Sequence, residues 1–167
     1  PLWVASLLEH EAVVKHLIEH GATVDRPNKN VGTPMLVASI NGHKAVVKLL
    51  IEHGANVDQP DQDGSTPLLI ASLEGHEAVV KHLIEHGATS LDVSKQASKI
   101  TSAELKMVAV FAPMMPNLQS LNLGGVNVGP KECTWLAAAI PTMAALTSLN
   151  VSGNTLSGSK CDSSTIY

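Results

Sequence analysis

Aromatic and positively charged side chains are scarce in this sequence. Aromatic residues make up 2% of the 167 residues, and 11 Lys and Arg are outnumbered by 15 Asp and Glu, which gives a net charge of −4. Nucleic acids and anionic membranes are bound by clustered positive charge. The composition therefore argues against both of these partners.

Cysteine and long apolar runs are also scarce. The two cysteines, Cys133 and Cys161, lie far apart in a chain without a secretory signal region, which gives little support to a disulfide framework and leads us to expect an intracellular, cytoplasmic protein. The longest nearly unbroken apolar run, residues 107–115, is about half the length of a membrane span and contains Pro113. This run is too short to span a membrane, so we expect no transmembrane segment. Because 44% of the residues are hydrophobic, we expect a folded core.

A 33-residue period dominates the first half of the chain. Residues 1–6 read Pro-Leu-Trp-Val-Ala-Ser, and similar hexapeptides begin at Pro34 and Pro67. A fixed period of this size indicates stacked supersecondary units. Each unit is predicted to hold two short helices, with Thr33 or Thr66 as the cap of the first and a glycine after the second. The second helix carries an apolar stripe that must be buried against neighbouring units: Val13, Val14, Leu17, Ile18 and their equivalents in the next two units.

Turn-forming residues connect one unit to the next. The stretch from Gly54 to Pro67 is rich in Asp, Gln, Gly and Pro and should project as a hairpin finger. With the Thr-Pro-Leu opening, the Gly-His between helices, the Val-Val-x-x-Leu-Ile stripe and the Gly-Ala close, residues 1–89 resemble the ankyrin repeat. The resemblance implies a repeat solenoid of all-α helix pairs with hairpin fingers, in three units of which the first is truncated at its N-terminus.

The sequence departs from that pattern at several positions. The His that follows Thr-Pro-Leu in the family is replaced by Trp3, Leu36 and Leu69, so its hydrogen bond between repeats should be missing and apolar packing should replace it. Glu9 stands where the break between the helices has glycine, and Val31 occupies the turn position held by Gly64. We therefore expect a strained or differently shaped first finger.

A 28-residue period follows. Residues 118–123 read Leu-Gln-Ser-Leu-Asn-Leu, and residues 146–151 read Leu-Thr-Ser-Leu-Asn-Val. Each block predicts a short strand with inward leucines, a turn and an Ala-rich helix, the helices covering about 102–112 and 132–140. These blocks resemble leucine-rich repeats of the ribonuclease-inhibitor type, an α/β architecture with parallel strands. The Asn that satisfies turn backbone groups in that family is present at Asn154, whereas Val126 interrupts the series in the first copy.

The two periods define the predicted domains. Ankyrin repeats cover 1–89, and leucine-rich repeats cover 90–156 with one degenerate unit, whose strand is at 91–94, and two recognisable units, the last incomplete. No linker separates them, and residues 157–167 are predicted to be a disordered tail. Because Pro1 begins in the middle of a repeat and is not Met, we expect a piece of a longer protein.

All eight histidines lie in the 33-residue units, where two segments fit the H-x-x-E-H pattern of inverted zinc proteases. On a helix the two histidines of each segment are one turn apart and could share a metal. The repeat itself produces the pattern, however, and the middle unit has Leu49 in place of the first His. We therefore predict no metal, no cofactor and no catalytic residue, and keep a zinc hydrolase as a remote alternative. Its residues would be His16, Glu19 and His20, or their third-unit equivalents His82, Glu85 and His86.

Surface recognition is the function that the sequence favours. Stacked repeats build extended binding faces, so we predict a monomeric module that binds a protein partner, with a structural spacer in a larger signalling or sensor protein as the alternative. The candidate contact residues differ between otherwise similar units or point outward from the strands. They are Arg26, Asn28, Lys29, Gln59, Asp61 and Gln62 on the fingers, and Ser120, Asn122, Ser148 and Asn150 on the strands.

Overall fold

The computed structural model describes residues 1–28, 32–94, 101–111, 114–126 and 128–154. The 33-residue units contain the helices α1 (Leu2–Leu7), α2 (Glu11–Glu19), α3 (Pro34–Ile40), α4 (Lys44–Glu52), α5 (Pro67–Leu73) and α6 (Glu77–Glu85). They are followed by β1 (Ser90–Asp92), α7 (Ser102–Phe111), β2 (Ser120–Asn122), α8 (Pro130–Ala139), a short 3-10 helix (Ile140–Thr142) and β3 (Ser148–Asn150). The predicted helix pairs are therefore present in all three units.

The helices of the 33-residue units form two layers. The first helices, α1, α3 and α5, pack against one another in chain order, and the second helices do the same behind them. Thr33 and Thr66 cap α3 and α5, since each hydroxyl oxygen accepts a hydrogen bond from a backbone N–H, of Leu36 at 3.1 Å and of Leu69 at 3.2 Å. The proline that follows each Thr has a fixed φ suited to the first helical position. The two predicted caps are confirmed.

Burial of the apolar stripe depends on stacking. Val46 and Val79 are fully buried, whereas the equivalent Val13 in the end unit is 47% exposed. Leu36 and Leu69, which stand where the family pattern has His, are buried at 5% and 0% exposure. Apolar packing has therefore replaced the polar side chain at these two positions, as predicted.

Glu9 has the strained backbone that its position predicts. Its φ is +56°, in the region that favours glycine, and the equivalent Gly42 and Gly75 have φ of +71° and +77°. The Glu9 carboxylate lies 3.4 Å from Nδ1 of His43, on the first-to-second unit boundary. Val31, the other expected source of strain, lies outside the described residues.

The strands form one parallel sheet in the order β1-β2-β3. Leu91, Leu121 and Leu149 are in register, and α7 and α8 pack against each other beside the sheet. A continuous core connects this part to the helical units, because α5 packs against both α7 and β1. The strand predicted at 91–94 is thus present one residue earlier, as β1.

Helix α8 begins two residues before the predicted start. Pro130 occupies its first turn, and the Glu132 carboxylate accepts a hydrogen bond from the Gly129 N–H at 3.1 Å. Pro is favoured at a helix start because its missing N–H is not needed there, and the acidic side chain satisfies an N–H that the helix leaves free. The Ala-rich run alone did not indicate this start.

One expectation about the cysteines is wrong. Cys133 is buried on α8 and is disulfide-bonded, although the sequence spacing offered little support for a disulfide. Cys161 and the predicted tail at 157–167 lie outside the described residues. The intracellular location, which rested partly on the cysteines, stays a prediction. In the described residues, no helix is both long enough and apolar enough to cross a membrane.

Replacing Glu9 by glycine should stabilise the chain. A left-handed backbone costs a side-chain-bearing residue about 1–2 kcal/mol, so we expect Glu9→Gly to raise the free energy of unfolding by about 1 kcal/mol in urea denaturation. Glu9→Ala removes the carboxylate but keeps the Cβ atom, and it should give no such gain. An equal gain in both variants would mean that the carboxylate, rather than the backbone, is unfavourable.

Candidate partner-binding surface

Each finger is closed by a polar side chain at its base. In the second finger Asp61 donates its N–H to the Ser65 carbonyl at 3.0 Å, and its carboxylate accepts from the Ser65 N–H at 2.8 Å. In the first finger Asn28 pairs with Gly32 in the same way, at 3.0 and 2.9 Å. Asn28 and Asp61, which were predicted to contact a partner, therefore stabilise the fingers themselves by these hydrogen bonds.

The other predicted finger residues differ in exposure. Arg26 and Gln62 are exposed, and Gln59 is half-buried. Arg26 and Gln59 occupy equivalent positions in successive units, so the two fingers present different chemistry at the same place. Lys29 lies outside the described residues. In the described residues, Gln62 is thus exposed within the turn that Asp61 closes, and Arg26 is exposed two residues before Asn28.

The strand residues form a polar ladder across the sheet. The Asn150 side-chain amide donates to the Asn122 side-chain oxygen at 3.0 Å, and the Asn122 amide donates to the Ser94 hydroxyl at 3.2 Å. Ser120 is half-buried and Ser148 is exposed, and the two are in register on neighbouring strands. The structure therefore brings the four predicted strand residues together on β2 and β3.

Aspartates link each finger to the next unit. The Asp25 carboxylate accepts hydrogen bonds from the Asn56 N–H at 3.1 and 3.2 Å, and the Asp58 carboxylate accepts from the N–H and hydroxyl of Thr89, both at 3.3 Å. Asp25 and Asp58 are equivalent, as are Asn56 and Thr89, so one bond recurs with the 33-residue period. The same hydrogen bond therefore joins the first unit to the second and the second unit to Thr89, which directly precedes β1.

Histidines make a second recurring link that was not predicted from the sequence. Nε2 of His43 donates to the Leu7 carbonyl at 3.0 Å, and Nε2 of His76 donates to the Ile40 carbonyl at 2.8 Å. The hydrogen bond between repeats, expected to be lost with the missing His after Thr-Pro-Leu, is thus supplied by the His of the Gly-His pair. The Gly-His pair recurs at the same position of successive units, and this recurrence was the sequence signal for a shared structural role.

Apolar side chains remain exposed at the ends of the first helices. Leu8, just after α1, is 54% exposed, and Ile40, at the end of α3, is 40% exposed. Single exposed apolar side chains are normal on protein surfaces, so these two do not by themselves mark an interface. These two residues were not among the predicted contacts.

The helix pairs, their fingers and their period are matched by a known family. Residues 2–96 fit the model described as ankyrin repeats, in three copies. The chain belongs to the ankyrin repeat family. Ankyrin repeats generally act as protein–protein interaction modules and are typically not enzymes. The match does not extend beyond residue 96, and no curated protein matches the chain.

The two H-x-x-E-H segments of the ankyrin units differ in the structure. His82, Glu85 and His86 gather, with one possible ligand atom of each within 4.8 Å of the others. His82 has only 13% of its side chain exposed, and burial together with nearby His86 lowers its pKa. His16, at the equivalent position in the first unit, is exposed. The two segments therefore have the same sequence but different surroundings.

Asp58 should make stability depend on pH. Burial raises its pKa despite the hydrogen bonds from Thr89, so the folded protein binds this proton at a higher pH than the unfolded chain, in which Asp titrates near 3.8. As the pH falls from 7 towards that value, the parent should therefore gain stability relative to an Asp58→Asn variant.

Urea denaturation at a series of pH values measures this difference. Asp25→Asn serves as the control, because it alters the equivalent hydrogen bond one ankyrin unit earlier. It separates the stability change caused by altering the bond from the change caused by the Asp58 carboxyl proton. A parent that loses stability relative to Asp58→Asn on acidification would contradict the account.

Proposed function

We propose that this chain is a protein-interaction module that docks one protein partner along its fingers and the adjoining strand face. The observation that carries the proposal is the closed turn of the second finger, from which Gln62 is exposed, together with the exposed Arg26 of the first finger. Asp61 closes the turn that holds Gln62, and Arg26 lies two residues before Asn28, which pairs with Gly32. A preorganised surface loses less conformational entropy on binding, which favours recognition.

We further propose that residues 90–156 are leucine-rich repeats of the ribonuclease-inhibitor type. The parallel strands, spaced 30 and 28 residues apart at Ser90, Ser120 and Ser148, support this assignment. Asn154 supports it as well, since its side chain donates to the carbonyls of Leu123 at 2.7 Å and Val151 at 2.8 Å and accepts from the Val128 N–H at 3.0 Å. One Asn therefore binds backbone groups of two neighbouring turns, whereas Val126, at the equivalent position 28 residues earlier, is buried.

The fingers and strands are proposed to form one continuous surface. Thr89 is equivalent in the third unit to Asn56 in the second. The backbone N–H of each donates a hydrogen bond to an Asp carboxylate of the preceding finger. Strand β1 begins at the next residue, where a third finger would start. The strand face thus continues the row of fingers without a linker, and Ser120 and Ser148 extend the row across the sheet.

Matched variants of the tagged full chain test this function by partner capture. Gln59→Lys with Gln62→Lys alters the second finger while leaving Asp61 to close the turn, and Ser148→Lys alters the strand face. Glu77 is exposed at the start of α6, and Glu77→Lys changes the net charge as much as the double variant does, so it serves as the control. Circular dichroism verifies that each variant is folded.

We expect the parent and Glu77→Lys to retain the same partner, and the double finger variant to lose it. Replacing an interface centre residue costs about 2 kcal/mol or more, enough for a loss of at least about thirtyfold in affinity when the partner is purified and titrated. Retention by all variants would contradict the finger surface. Absence of a partner for the parent would favour the structural spacer.

A further inference from the structure

We propose that His82, Glu85 and His86 form a binding site for a divalent transition-metal ion of the class that prefers imidazole ligands, with Zn²⁺ as its representative. The three residues lie at positions i, i+3 and i+4 along the end of α6, so their side chains share one face of the helix. The proposal does not rest on the partner-binding surface, which the fingers and strands provide.

The distances approach those of a coordinated ion. Nδ1 of His82 lies 3.9 Å from a carboxylate oxygen of Glu85, and the imidazole rings of His82 and His86 have centroids 4.2 Å apart. Ligands of a tetrahedral zinc ion, with bonds of about 2.1 Å, are about 3.4 Å from one another. One possible ligand atom of each residue lies within 4.8 Å of the others, so the exposed Glu85 and His86 side chains would rotate to bring these atoms to the spacing of a bound ion.

His86 is prepared for coordination by a hydrogen bond. Its Nδ1 donates to the carbonyl of His82 at 2.8 Å, which places the ring proton on Nδ1 and leaves the lone pair of Nε2 free. Metal-binding histidines usually donate their other ring N–H to a carbonyl or carboxylate in this way, because the bond fixes the tautomer and the ring orientation.

Glu85 has a different neighbour from its equivalents. In the first and second units the corresponding glutamates face a lysine one turn earlier, Lys15–Glu19 at 4.0 Å and Lys48–Glu52 at 3.8 Å. In the third unit Glu85 faces His82 instead, and its negative charge favours a cation. Lys44 and Lys48 of α4 are close enough to His82 to oppose the cation in part.

The three units provide comparisons within one chain. The second unit has Leu49 where the third has His82, so it lacks a ligand. The first unit repeats the sequence of the third, and its His16 and His20 rings are equally close, with centroids 4.1 Å apart. His16 is exposed, however, and Glu19 faces Lys15, so the three residues are not grouped as in the third unit in the described structure. The site is therefore expected in the third unit, with three protein ligands and a fourth position open to water.

Equilibrium dialysis of the tag-free full chain against Zn²⁺, without reductant so that Cys133 stays oxidised, tests the site. We expect one saturable site in the parent. His82→Leu copies the side chain that the second unit accepts at this position, and it should weaken the site by more than tenfold, since a metal ligand is lost. His16→Leu makes the same replacement in the first unit and should leave the affinity within about twofold.

Thermal unfolding gives a second measurement. Zn²⁺ should raise the melting temperature of the parent and of His16→Leu, and it should raise that of His82→Leu much less, because an ion that binds only the folded state stabilises it. Glu85→Gln should weaken the binding without unfolding α6. The proposal is overturned if the parent shows no saturable binding, or if His82→Leu and His16→Leu weaken Zn²⁺ binding equally.

Discussion

The carboxylates of Asp25 and Asp58 fix the distance and direction from one unit to the next. Each accepts a backbone N–H of the following unit, and His43 and His76 donate to a carbonyl of the preceding one. The aspartates belong to the fingers, and the carbonyls belong to the last residues of α1 and α3, so neighbouring units are held at two places. The apolar stripes are then buried in register, as the fully buried Val46 and Val79 indicate. Neither kind of bond exists within a single unit, which makes the stability of each unit depend on its neighbours.

The same bond explains how two periods can follow one another without a linker. The Asp58 carboxylate accepts a hydrogen bond from the Thr89 N–H, just as the Asp25 carboxylate accepts one from the Asn56 N–H. After Thr89 the chain continues as strand β1, at the place that the second unit uses for its finger. Because α5 also packs against α7, the helical and sheet parts share one core. Under the proposed function, a partner bound to the fingers would also contact the polar ladder of Asn122 and Asn150 on the strands.

The local features were predictable from the sequence because each depends on a few neighbouring residues. The Thr caps of α3 and α5, the break at Gly42 and the strand at Leu91 all follow from short patterns. The features that escaped prediction depend on contacts between units or on the orientation of one side chain. His43 and His76 looked like part of a helix break, and Asn28 and Asp61 looked like free contact residues, although they close the turns. Glu85 faces His82 in the third unit, whereas the equivalent Glu19 faces Lys15 in the first. The two segments are identical in sequence, so the local sequence alone does not determine which neighbour the glutamate faces.

Native-state hydrogen exchange, resolved at individual amides with increasing denaturant, tests most directly whether the helical and sheet parts form one stack. We expect the amides of α5 and of β2 to open with the same free energy and to respond alike to denaturant, because the bond at Thr89 and the packing of α5 on α7 couple them. Exchange of the sheet amides at a distinctly lower free energy, with α3 to α6 still fully protected, would mean that the two parts fold independently and would contradict this expectation.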